Sequence, residues 1–136
     1  MKILLFVFAL LYINCYAFTL KDKYDMGDSN SGYKYAKQLF DKKEFKKSGE
    51  ILFELIQRGD NAESFALLGN QIEYGLGVEK DCKMAANMYM NSAAMGNCYA
   101  YDYIIKMYKT GHCIKTGKNN LRAKKFEQIK KQCLEK

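Results

Sequence analysis

Cysteine is the residue type in this 136-residue chain with the most chemistry on offer, and five cysteines are present. Cys15 belongs to an apolar N-terminal stretch. The other four, Cys82, Cys98, Cys113 and Cys133, are separated by 16, 15 and 20 positions. None forms the C-x-x-C pair of a zinc site, and a single histidine cannot complete one. An even number of cysteines in an oxidising compartment points to two disulfides, with three pairings open, or else to free buried thiols. His112 follows Gly111 and is expected as an exposed turn residue, because general acid–base work needs a positioned partner. Gly75-Leu76-Gly77 follows a helical pattern rather than a strand. It lacks the third glycine and the lysine of a phosphate loop. Glu50 and Glu54 stand one helical turn apart, as on any solvated face. No catalytic residue, metal site or cofactor is expected.

The compartment follows from the first 17 residues. Met1-Lys2 is a short positive start, Ile3 to Ile13 is apolar apart from Tyr12, and Cys15 and Ala17 are small residues at the −3 and −1 positions of a cut. This is the layout of a signal peptide cleaved after Ala17, and the run falls short of the ~18–20 apolar residues of a membrane span. The chain is therefore expected to be secreted or periplasmic, with no transmembrane span once mature.

Apolar residues make up 49% of the chain, charged residues 27%, and there is no proline, a composition that suits a folded helical domain. Residues 18–30 are polar and aperiodic, and are expected to be loose. Beyond them apolar residues recur at intervals of three and four, the helical period. Tyr35, Ala36, Leu39 and Phe40 predict a helix over 31–42. Phe45, Ser48, Ile51, Leu52, Leu55 and Ile56 predict a second. Phe65, Leu68, Gly69 and Ile72 mark a third, stopped by Gly75 and Gly77. Asp81 is a strong N-cap for a fourth. A fifth spans about 98–110 and a sixth about 119–135, with Leu121, Phe126, Ile129 and Cys133 turned inward. Six helices joined by short turns make three antiparallel pairs, at about 31–60, 61–96 and 97–135.

The chain also repeats itself. A shift of 36 residues places Ala62 on Cys98, Ser64 on Ala100, Phe65 on Tyr101, Leu68 on Ile104, Ile72 on Tyr108 and Gly75 on Gly111. Each match has a packing reason: small residues where helices approach, large apolar ones in the seam, and glycine where the helix ends.

At these residues the chain resembles a known family. Leu68-Gly69-x-x-Ile72-x-x-Gly75-x-Gly77-Val78-x-x-Asp81-x-x-x-Ala85, followed by Tyr89, Ser92-Ala93 and Gly96, is similar to one full Sel-one-like repeat (SLR), a relative of the tetratricopeptide repeat. The copy from Asn97 departs after Ile114, and residues 31–60 look more like a plain tetratricopeptide hairpin. The resemblance covers 31–135 and implies an all-α solenoid of about three helix pairs. It further implies that Cys82 and Cys113 share one end of the stack and Cys98 and Cys133 the other, hence Cys82–Cys113 and Cys98–Cys133 disulfides. It places the first helix of each pair on a concave face, with Glu63, Ala66, Asn70, Glu73, Tyr74, Tyr99, Asp102, Lys106, Lys109 and Thr110 outward, eight of which are candidates for holding a partner (Glu63, Asn70, Glu73, Tyr74, Tyr99, Asp102, Lys106 and Lys109). The implied function is an exported protein-binding module taking a protein or peptide. Alternatives from exported relatives are a periplasmic immunity protein and a β-lactam-binding protein.

Charge adds a second expectation. The chain carries +7, and eight cations lie between Lys115 and Lys136 against only Glu127 and Glu135. A Lys-rich last helix can face an acidic partner or an anionic surface. Export makes nucleic acid a poor candidate.

Overall fold

The computed structural model describes residues 19–136, so the expected signal segment lies outside the described residues. Among them there are seven α-helices and no strand: α1 (Leu20–Asp25), α2 (Ser29–Asp41), α3 (Phe45–Arg58), α4 (Ala62–Tyr74), α5 (Cys82–Ala94), α6 (Tyr101–Thr110) and α7 (Asn120–Leu134). A single 3-10 turn, Cys98–Ala100, leads into α6. Helix ends fall where local chemistry puts them. Asp28, Asn61, Asp81 and Asn119 cap α2, α4, α5 and α7 by accepting from the first free backbone N–H groups. Gly59, Gly75 and Gly111 take the left-handed conformation that ends α3, α4 and α6.

The helices stack as three pairs, α2/α3, α4/α5 and α6/α7, each against the next. The fold is an all-α solenoid. Ala36, Leu52, Leu68, Ile72, Ala85, Tyr89, Ala93, Ala100, Ile104 and Met107 form its continuous core. Buried polar groups tie neighbouring helices together. The Ser48 hydroxyl donates to the Ala36 carbonyl at 2.8 Å, and Ser92 to the Ala62 carbonyl at 2.6 Å. The Gln71 amide donates across pairs to the Phe45 carbonyl at 2.9 Å. Gly69 and Gly77 stand at close approaches to neighbouring helices. A Cβ on Gly69 would lie 2.9 Å from the Tyr89 ring, and one on Gly77, which has φ +71°, would meet the Lys46 backbone nitrogen at 2.5 Å.

Three expectations need correction. The described part of the segment expected to be loose, 19–30, is ordered: 20–25 form α1, opened by a Thr19/Asp22 capping box, and Tyr24 is buried against Gly32. A helix of one and a half turns is too short to show a period. Leu121 is 81% exposed rather than inward. The buried side of α7 runs through Ala123, Phe126 and Ile129, and Leu121 stands on the opposite side. His112 is not a free turn residue, as its contacts below show.

Tyr24 also makes the fold sensitive to alkali. Burial first, and then its hydrogen bond to the Glu54 carboxylate, push the phenol from 10.0 up to about 12. The folded state thus holds this proton more tightly than the unfolded chain. Its stabilisation is complete below pH 10 and is lost as pH rises towards 12. Melting temperature followed by circular dichroism should fall across that window, and Tyr24→Phe should flatten the slope. An unchanged slope in the variant would assign the alkaline loss elsewhere.

Candidate interaction surface

The first helices of the three pairs, α2, α4 and α6, share a groove of about 310 Å³. Helical spacing supplies its walls. Tyr33, Lys37 and Phe40 recur at four and three along α2, and Glu63, Ala66, Leu67 and Asn70 do so along α4. Asn97, Tyr99 and Tyr103 close the third side. Tyr103 is fixed by stacking on Tyr89, ring centres 4.5 Å apart and nearly parallel. Tyr99 is free to present its ring, with the Lys130 ammonium 5.0 Å from the ring centre. The groove is therefore aromatic at its sides and carries one cation, one carboxylate and two amides.

Of the sequence-derived candidates, Glu63, Asn70 and Tyr99 lie in this groove. Ala66, expected outward, is buried in its wall. Tyr74 is one turn beyond Asn70 and exposed. Its ring stacks on His112 at 5.2 Å, and Lys106 reaches its hydroxyl at 3.4 Å. Asp102 and Lys109 are exposed but engaged with α7, Asp102 with Lys130 at 2.7 Å and Lys109 with Glu127 at 2.6 Å. Thr110 turns its hydroxyl back to the Lys106 carbonyl.

Glu73 is the clear correction. It is 3% exposed and accepts a 2.6 Å hydrogen bond from the Tyr89 hydroxyl. The His112 Nε2 atom is enclosed 3.5 Å from its other oxygen. The carboxylate thus joins α4, α5 and the loop after α6 from within. Burial, the Glu73 hydrogen bond and its charge all push the Tyr89 phenol upward, so its proton stays in place. Counting along α4 from Leu68 put Glu73 outward because a wheel sees only one helix. It is the inserted loop carrying His112 that covers the position.

The sequence reading missed Leu67, Asn97 and Tyr103, and on α2 it missed Tyr33, Lys37 and Phe40. Their spacing was legible as one more helical stripe, but nothing local distinguishes a stripe facing a groove from one facing the core. The four cysteines form the Cys82–Cys113 and Cys98–Cys133 pairs, with Cα atoms 5.2 and 5.7 Å apart. Among the described residues no three His, Cys, Asp or Glu side chains group as metal ligands.

No family model matches the chain, and no curated protein matches it in sequence. Similarity is found in structure. A Sel1 repeat protein from Oxalobacter formigenes, known from its crystal structure, superposes with a TM-score of 0.64 over 83% of this chain, at 20% sequence identity. The chain has the Sel1-repeat fold. It spans about half of that protein, 47% of its length. The likeness fixes the architecture, and what the surface binds has to be argued from its own residues.

Proposed function

We propose that the chain is an exported protein–protein interaction module that holds a peptide or protein segment in the groove between α2, α4 and α6. The observation that carries this reading is the lining of that groove. Tyr33, Phe40, Tyr99 and Tyr103 offer aromatic area at low entropic cost, and Lys37, Glu63, Asn70 and Asn97 offer polar anchors among them. Aromatic anchors with a few polar groups are the usual make-up of binding hot spots. Tyr74 and Lys106 extend the surface by one turn. An exported setting agrees with the N-terminal sequence, with the two cysteine pairs, and with the absence among the described residues of a helix long and apolar enough to cross a membrane. The reading assigns no reaction to the chain. Its polar cluster at Glu73 is buried and tied to the core by the Tyr89 hydroxyl.

Tyr99→Ala combined with Glu63→Ala tests the groove. Both residues are exposed, so the melting temperature should stay within a few degrees. Partner capture from an envelope extract, measured by quantitative mass spectrometry, should drop by about tenfold or more. Undiminished capture by a folded double variant would move the binding surface away from the groove.

A further inference from the structure

We infer that the outer face of α7 seats the protein on an anionic phospholipid surface. The charge is concentrated there: residues 115–136 carry eight cations against Glu127 and Glu135, so they account for +6 of the chain's +7. Folding then sorts these cations into two sets. Lys130 is turned towards α6 and pairs with Asp102, while Glu127 is taken by Lys109. Lys124, Lys125 and Lys131 point outward with Leu121, Gln128 and Gln132, all exposed. Lys131 has a carboxylate only at 3.9 Å, Glu135 of its own helix. The inward pairing therefore consumes Glu127, and the outer face keeps its cations with little to oppose them.

Two further features favour a lipid surface over an acidic protein. Leu121, 81% exposed, projects beside Lys124 and Lys125. A leucine at this place adds burial in the headgroup boundary to the charge attraction of the lysines beside it. Beside it Tyr108, Arg122 and Phe126 complete a depression of about 660 Å³. Tyr108 and Phe126 stack at 5.7 Å to make an apolar floor, and the Arg122 guanidinium is held at 5.8 Å from the Tyr108 ring centre. Three cations around an apolar floor match a phosphodiester headgroup with its glycerol and upper chain. Lysines on flexible stems also give non-directional attraction, which suits a fluid charged plane better than one fixed carboxylate pattern. This surface is separate from the groove between α2, α4 and α6, so the two can fail independently.

The test is co-sedimentation of the full chain with phosphatidylcholine vesicles, plain or containing about 30% phosphatidylglycerol. The readout is the difference between the two, which cancels partition by the apolar residues 3–13. Binding should be confined to the anionic vesicles and should be largely lost at about 0.5 M salt. Lys124→Ala, Lys125→Ala and Lys131→Ala together should weaken it on the order of 100-fold, since each cation near such a surface contributes about fivefold. Leu121→Ala alone should weaken it several-fold, and Tyr99→Ala should not change it. Equal binding to both vesicles, or an unchanged triple variant, overturns the inference. So does displacement by polyglutamate with Leu121→Ala silent, which would assign the face to an acidic protein. Displacement by inorganic phosphate at millimolar level would likewise overturn it, in favour of a free anion.

Discussion

Tyr89→Ala is expected to leave most of the chain unfolded at physiological temperature, whereas Tyr89→Phe should fold and be measurably weaker. Tyr89 is fully buried. Its ring lies against Gly69, where no Cβ would fit, and stacks on Tyr103. Removing an aromatic side chain from such a site costs about 3–5 kcal/mol through lost burial and the cavity left behind. The alanine also strands the Glu73 carboxylate, whose 2.6 Å donor is the Tyr89 hydroxyl. An orphaned buried acceptor costs about 1–3 kcal/mol, more when it is charged. Against a total stability of roughly 5–15 kcal/mol, the two together consume most of what holds a small domain folded. Phenylalanine keeps the ring and loses only the hydrogen bond, so it should show the smaller cost alone. Urea unfolding of the three proteins separates the contributions. Equal losses for Phe and Ala would mean that the ring contributes nothing beyond its hydroxyl, which contradicts the packing described.

The second large effect is expected at the Cys98–Cys133 bond. Cys133→Ser should cost about 3–4 kcal/mol, the loop-closure entropy of a cross-link across 35 residues. The loss should also be local. Helix α7 buries only Ala123 completely, and its Lys109–Glu127 and Lys130–Asp102 pairs lie at the surface with at least one partner about half exposed, each contributing roughly 0–1 kcal/mol. Its remaining hold is chiefly Phe126 against Tyr101 and Tyr108, with the half-buried Ile129 and Arg122 on Tyr108 beside it. Hydrogen exchange should therefore show α7 losing protection in Cys133→Ser while α3, α4 and α5 keep theirs. Persistent protection in α7 would show that Phe126 and its aromatic neighbours suffice to hold the helix. Cys82→Ser should spread its effect differently. Cys82 opens α5 and Cys113 follows His112, so losing that bond should loosen the loop that covers Glu73.

How much of this could be read beforehand differs from element to element. Helices α2 to α7 were legible because each carries a stripe at the helical period and is bounded by its own cap, such as Asp81 or Gly75. Helix α1 was not, because six residues give no period and the Thr19/Asp22 box was hidden among other polar residues. Only part of the groove was legible. Glu63, Asn70 and Tyr99 were found by counting from the repeat, while Tyr33, Lys37 and Phe40 sit on the first pair, where the repeat is weakest.

The cysteines on which the reading began show where the division falls. Their number was a matter of composition. The 36-residue register determined which helices repeat, and the resemblance it carried implied which ends of the stack the cysteines occupy. Both are local or periodic properties, written in the order of residues. What only the tertiary structure decided are relations between helices far apart in the chain. Glu73 is sealed inside because a loop from the next repeat brings His112 over it. Asp102 and Lys109 are engaged because α7 folds back along α6. Leu121 is left in solvent because that same packing turns the opposite side of α7 inward. A helical wheel gives each residue an angle about its own axis, and only the placement of neighbouring helices says what lies at that angle.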